Sequence, residues 1–312
     1  MKIFLMALAF AVGLVSCTHD GKWKVYNSKN TVMTMDAVRQ VAIENGKLAW
    51  VGTFGGGLYA VKGDQWVKSD RPALSHYILA LRQDGFGRLW AGTSDGALVY
   101  DGKDWKRYSR ADGFLDDNVW DICPDGDRVY VGMRYAGLCV IEKGVVRCLD
   151  RVAAGLPDRK VTIVVKDGQG VLWVGTEQAG LCGLENEKPV QLYNRANGLS
   201  GNYIRALICD EMKPRYCGTW DGGLDEFDGK VWTHINAVPP PVTSLTVDPQ
   251  GRLWVGTWGG GVFYQSRTGW TDITDRNSGL PDNHVTDIRF TDAGEACIAT
   301  GQGLAVFKYP EK

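Results

Sequence analysis

Asp248-Pro249-Gln250-Gly251-Arg252-Leu253-Trp254-Val255-Gly256-Thr257, followed by Trp258, the run Gly259-Gly260-Gly261 and the apolar segment Val262-Phe263-Tyr264, is the stretch that decides the fold. Asp-Pro-Gln-Gly carries the residues that reverse a chain tightly. Leu-Trp-Val-Gly-Thr is an apolar run too short for a helix, and the glycines turn the chain again before the second apolar run. Upstream, Val242 to Val247 alternates as a strand does; downstream, Trp270 opens another short run. Four short strands joined by hairpin turns make an antiparallel meander.

The unit recurs. Further copies run through Ala49-Trp50-Val51-Gly52-Thr53, Leu89-Trp90-Ala91-Gly92-Thr93, Val129-Tyr130-Val131-Gly132, Leu172-Trp173-Val174-Gly175-Thr176 and Tyr216-Cys217-Gly218-Thr219, with a worn seventh at Cys297-Ile298-Ala299-Thr300. Intervals between the first six motif glycines are 40, 40, 43, 43 and 38 residues. That period belongs to a four-stranded propeller blade and is longer than ankyrin or tetratricopeptide units. The expected fold is all-β, a seven-bladed β-propeller with four antiparallel strands per blade. The last copy stops after a third strand, Leu304-Ala305-Val306-Phe307, whereas Lys22-Trp23-Lys24-Val25-Tyr26 matches fourth-strand segments such as Asp104-Trp105-Lys106-Arg107-Tyr108. The N-terminal strand is therefore expected to complete the last blade and close the ring, leaving no sheet edge open.

Residues 22–309 hold the whole ring. Before them, Met1-Lys2, an apolar run from Ile3 to Val15 and Ser16-Cys17 read as an export leader, too short to span a bilayer. Cysteine immediately after the cleavage point resembles the bacterial lipobox. On that resemblance residues 1–16 are a lipoprotein signal peptide, Cys17 carries the lipid and residues 17–21 are a short linker. Thr18 after the cysteine favours the outer membrane, periplasmic or cell-surface side left open. Membrane contact is then through the lipid on Cys17 alone. A net charge of −1 and the lack of a lysine or arginine run exclude a phosphate-tracking surface, so no nucleic acid partner is expected.

Of the cysteines beyond Cys17, most occupy strand positions where sister units carry Val or Leu, as small buried hydrophobes do. Cys139 and Cys148 form one candidate pair. A two-residue hairpin at Lys143-Gly144 sets them opposite each other within reach of a disulfide, and a hairpin shifted by one residue separates them. The Asp-Gly turns at Asp84-Gly85, Asp125-Gly126 and Asp167-Gly168 are read as A-to-B hairpins rather than calcium loops, because no further acidic ligands follow. No metal site and no cofactor are expected.

Gly279-Leu280-Pro281-Asp282-Asn283, Gly155-Leu156-Pro157-Asp158 and the opening stretch resemble the two-component regulator propeller repeat. In that family such propellers commonly form the exported sensor portion of hybrid histidine kinases. The resemblance implies an exported, sensor-type ligand-binding ring, here expected to stand alone as a monomer.

In a four-stranded blade the D-to-A and B-to-C connections emerge together around the central channel. Motif tryptophans such as Trp50, Trp90, Trp173 and Trp254 recur in most units and are read as blade-to-blade packing. The connections vary between units, and the candidate ligand-binding residues lie there: the aromatics Phe54, Tyr77, Tyr135, Tyr203, Trp220 and Trp258, with Asn118, Arg134, Glu177, Asp221 and His284 as polar groups between them. Flat rings beside hydrogen-bonding groups suit a glycan, another small molecule or an envelope protein. The expected function is non-catalytic binding. Two alternatives stand beside it: a structural scaffold of an envelope complex, and a lyase or hydrolase. Streptogramin lyases are propellers of similar size that use histidine and acidic residues with magnesium at the channel mouth, and His76 and His284 sit at comparable entries here.

Overall fold

The computed structural model describes residues 23–69, 75–149, 155–211 and 213–308. It contains seven four-stranded antiparallel sheets. Each blade runs A to D from the centre outward. The A strands are Val38–Glu44, Ile78–Gln83, Val119–Asp125, Val161–Lys166, Ile204–Cys209, Val242–Val247 and Val285–Phe290. Each touches the A strands of both neighbours, and the seventh returns to the first, so the ring is closed. Strand β1 (Trp23–Tyr26) pairs antiparallel with β28 (Gly303–Lys308), placing Trp23 opposite Phe307 and Tyr26 opposite Leu304. The N-terminal strand thus supplies the outer strand of the seventh blade. Cys17 and the leader lie outside the described residues.

The Leu-Trp-Val-Gly-Thr motif is a set of three fittings. Its glycine seats the first residue of the next blade's A strand: a Cβ on Gly132 would lie 2.7 Å from Val161 Cγ1, and one on Gly256 the same distance from Val285 Cγ1. No larger residue fits while the blades keep their spacing. The tryptophan fills the space further out. Trp90, Trp173 and Trp254 are nearly inaccessible, and Trp50 meets Tyr100 and Trp105 of the following blade edge-on. The threonine hydroxyl closes the B-to-C turn, as Thr176 Oγ1 donates to Gly180 O at 2.9 Å and accepts from Ala179 N at 3.0 Å.

The Asp-x-x-Gly turn is tied to that tryptophan. Asp248 Oδ1 accepts the N–H groups of Gln250 and Arg252, while Oδ2 accepts from Arg252 Nε and from Trp254 Nε1 at 2.9 Å. Asp84 and Asp167 hold Trp90 and Trp173 in the same way. One carboxylate therefore shapes the A-to-B hairpin and satisfies a buried indole N–H.

Cys139 and Cys148 face each other across strands Gly137–Glu142 and Val145–Leu149, and the structure joins their sulfurs. Lys143 and Gly144 both take positive φ, as a two-residue hairpin requires. The remaining described cysteines are unbridged. Burial pushes their thiols up: Cys123 and Cys182 to about 11, Cys209 and Cys297 to about 12, and Cys217 well above its ordinary value. In the unfolded chain a thiol titrates near about 8.5. A raised folded-state value means this contribution to stability is intact below that pH and is lost as pH rises towards 11–12. Each thiol contributes a slope of at most about 1.4 kcal/mol per pH unit in that window. The urea midpoint is expected to be flat from pH 7 to about 8.5 and to fall above it. Cys217→Ala with Cys297→Ala should shallow the fall; parallel curves for wild type and variant would refute the assignment.

Candidate functional site

The connections around one mouth of the channel form a hydrogen-bonded belt. Within a blade, the B-to-C turn donates to the residue entering strand A: Phe54 N to Ala37 O, Arg134 N to Asn118 O, Glu177 N to Lys160 O, Trp220 N to Tyr203 O and Trp258 N to Pro241 O, all between 2.8 and 3.1 Å. Between blades, the turn glycine donates to the next entry, as Gly55 N does to His76 O and Gly137 N to Arg159 O. Both sets of loops therefore share one face, and their side chains are carried on paired backbone rather than on free loops.

Aromatic rings straddle the junctions. Phe54 and Tyr77, from blades one and two, pack edge to face at 4.7 Å. A second chain of rings runs from Tyr203 to Trp220 at 6.0 Å, on to Trp258 at 6.0 Å, and to His284 at 4.8 Å. Phe54 and Trp258 keep 52% and 42% of their surface exposed, against 2% for Trp90 and 0% for Trp254. The motif tryptophans are scaffold, and the mouth rings present faces to solvent.

A cavity of about 460 Å³ opens at this mouth. Phe54, Tyr77, Asn118, Arg134 and Trp258 line it, together with Arg39, Leu79, Ser94, Trp120 and Thr286. Tyr135 adjoins it through Arg134, whose guanidinium lies 5.3 Å from the ring. Two further sequence candidates are engaged with neighbours on the rim. Glu177 accepts from Lys160 Nζ at 2.8 Å, which raises the lysine's pKa. Asp221 accepts the Tyr203 N–H at 3.0 Å and pairs with Arg195 at 3.2 Å. His284 Nδ1 lies 2.9 Å from Asp282 Oδ1. Exposed His76 gives its backbone carbonyl to Gly55 and Gly57. Among the described residues no group of three or more His, Cys, Asp or Glu is placed to hold a metal ion.

Arg39, Trp120 and Arg205 were not legible as site residues, and one structural device puts them there. Every A strand carries a bulge at its second residue, where pairing with strand B skips a position: Arg39, Leu79, Trp120, Thr162, Arg205, Thr243 and Thr286. A bulge re-aims its side chain. In three blades the residue is threonine, and its hydroxyl donates to the first carbonyl of the next A strand, as Thr243 Oγ1 does to Val285 O at 2.6 Å. In the other four it is Arg, Leu, Trp and Arg. The signal in the sequence is a variable residue directly after the β-branched residue that begins each A strand.

The Trp120 ring has the Arg134 guanidinium at 4.3 Å and that of Arg205 at 5.3 Å. Burial, then repulsion from Arg205, pushes the Arg39 guanidinium down to about 9, and burial also lowers Arg205. At about 9, Arg39 remains charged at neutral pH. Both guanidinium groups keep some accessible surface in the channel while protein surrounds them, which is why burial weighs so heavily.

Two segments, residues 155–178 and 238–259, match the family described as two component regulator propeller. No curated protein matches the chain in sequence. Among solved structures, the extracellular domain assigned to a hybrid two component system of B. thetaiotaomicron is 17% identical with a TM-score of 0.79, covering 92% of this chain and 42% of that one. The chain thus spans less than half the length of that protein. A catalytically inactive virginiamycin B lyase from Staphylococcus aureus, solved with quinupristin, is 13% identical with a TM-score of 0.68, over 93% of this chain and 99% of that one. PorZ of Porphyromonas gingivalis, described as an essential surface component of the type-IX secretion system, is 17% identical with a TM-score of 0.64, over 86% and 46%. At these identities the likeness is one of fold.

Proposed function

We propose that this ring is a non-catalytic, sensor-like binding module, held at the bacterial envelope by a lipid on Cys17, that takes its ligand or partner at the channel mouth. The observation that supports it best is the run Tyr203, Trp220, Trp258 and His284, half-buried at its first two rings and exposed at its last two, on a hydrogen-bonded rim beside a 460 Å³ cavity. Exposed rings held on rigid backbone lose little entropy on contact, which makes such faces effective recognition surfaces. The matched repeat segments and the likeness to a sensor's extracellular domain are consistent with that role. Turnover is not part of the reading: His284 is paired with Asp282 two residues away, and no histidine or carboxylate is among the residues lining the cavity. The likeness to PorZ favours one second reading, in which the same mouth docks an envelope protein.

The experiment exposes the ring lacking residues 1–17 to glycan and peptide libraries and repeats the screen with Trp220→Ala, Trp258→Ala. Each truncated ring removes roughly 1–2 kcal/mol, so hits are expected to weaken by at least about tenfold. Binding retained at full strength would move the site elsewhere. Peptide hits without glycan hits would select the docking reading.

A further inference from the structure

Three arginines of the channel stand outside the ion pairs made by its inner carboxylates. Asp121 accepts from Arg82 at 2.7 Å and from Val164 N at 2.9 Å. Asp287 pairs with Arg289 at 3.3 Å and accepts from Val41 N at 3.1 Å. Both of these inner A-strand carboxylates therefore have an arginine of their own. Arg39, Arg134 and Arg205 are left with no carboxylate at ion-pairing distance among the described residues, although they come from blades one, three and five. Arg134 Nε and Arg205 Nε are buried without a hydrogen-bond partner, as is Asn118 Oδ1 beside them.

Unpaired buried donors and clustered like charges both destabilise a fold. The packing does not need Arg39 and Arg205, because Thr162, Thr243 and Thr286 occupy the same bulge position in other blades and tie those blades together. Trp120 lies against two of the guanidinium groups, Arg134 at 4.3 Å and Arg205 at 5.3 Å, and Arg205 is also hydrogen-bonded to Tyr203. Around them the cavity wall is apolar: Phe54, Tyr77, Leu79 and Trp258.

We infer that the mouth takes a small carboxylate carried on a flat apolar body, the carboxylate bound by Arg39 and Arg134 of the cavity wall with Arg205 adding its charge from beside Trp120, and the body lying against Phe54, Tyr77 and Trp258. Planar arginine forks match a carboxylate in two parallel hydrogen bonds, and the apolar wall favours a ring over a bare ion. The depressed pKa values of Arg39 and Arg205 have the same origin, since an anion would relieve the burial and repulsion that lower them. This deepens the binding role proposed above and rests on it.

The test measures thermal stabilisation of the full chain by benzoate, by benzamide as its neutral counterpart and by acetate as a carboxylate without a ring. At about 10 mM, benzoate should raise the wild-type Tm by about 1–3 °C and the other two by less than about a third of that. Arg39→Gln with Arg205→Gln should weaken benzoate binding by about 10- to 100-fold. Without ligand, that variant should melt at the same temperature as wild type or higher, because it relieves repulsion. A variant that melts lower would make the arginines structural and overturn the inference, as would the absence of a benzoate shift. Equal shifts with benzamide would overturn the anionic class yet leave a binding mouth standing. Library hits lost in Trp220→Ala, Trp258→Ala but indifferent to Arg39→Gln would do the same.

Discussion

A chain that begins at Asn27, lacking Trp23–Tyr26, is expected to lose its folded monomeric state. Strand β1 does two things at once. It pairs with β28 along its whole length, and its side chains join two blades: Trp23 stacks on Phe307 of blade seven at 4.4 Å, while Tyr26 meets Trp66 of blade one at 5.1 Å. Trp23 and Tyr26 are half-buried, so each contributes part of the roughly 1.5–3 kcal/mol of a fully buried side chain, before the backbone pairing is counted. With the ladder added, that is a sizeable share of the net stability of an ordinary domain, about 5–15 kcal/mol. Truncation also turns β28 into an open edge beside apolar Val306 and Phe307, which invites pairing between molecules. Size-exclusion chromatography should show oligomers or aggregate in place of monomer, and the cooperative melting transition should fall sharply or vanish. A peptide of residues 22–30 supplied in trans should restore monomer, because an added strand repairs an edge that general destabilisation would not. A truncated chain that stays monomeric with an unchanged Tm would show that the ring closes without β1.

Why the ring was legible in the sequence and the arginine cluster only in part follows from how each is encoded. The blade is written locally: Asp248, Gly256, Thr257 and the turn glycines lie within a few residues of the groups they contact, and the pattern is repeated seven times. Repetition also identified the scaffold, since Trp90, Trp173 and Trp254 perform one task in their blades. The rim aromatics could be chosen by the opposite property, variation between copies, and the structure sets Phe54, Tyr77 and Trp258 around one cavity. Arg134 was chosen by the same variation, whereas Arg39 and Arg205 escape both criteria. Those two are isolated in sequence, and a net charge of −1 gives no hint of them. Their convergence with Arg134 requires the closed ring, and both require the bulge that turns the second A-strand residue towards the channel. Glu177 and Asp221 show the converse: they were readable as free polar groups, and only the fold reveals Lys160 and Arg195 beside them.

Gly175→Val should be the most damaging single substitution of the motif. The position has no need of glycine's backbone freedom, so its requirement is space alone. A Cβ there would lie 2.5 Å from Ile163 Cγ2 and 2.8 Å from Ile204 Cβ, two fully or nearly buried side chains on successive A strands. Neither can retreat, since each is wedged between its own blade and the next. Overpacking of a tight core costs about 1–3 kcal/mol and occasionally more, and here the whole junction between blades four and five must widen. A loss of about 3 kcal/mol, or about 6–12 °C in Tm, is expected. Gly85→Ala is the matched control, because a Cβ there meets nothing within 4 Å; its effect should stay within about 0.5 kcal/mol. Blade seven supplies a natural comparison, carrying Ala299 at this place in the cluster that holds Val38. One methyl group is accommodated at that closing junction, in the blade that the N-terminal strand completes. If Gly175→Val were no worse than Gly85→Ala, the motif glycine would not be the spacer between blades, and the regular period of the sequence would need another physical cause.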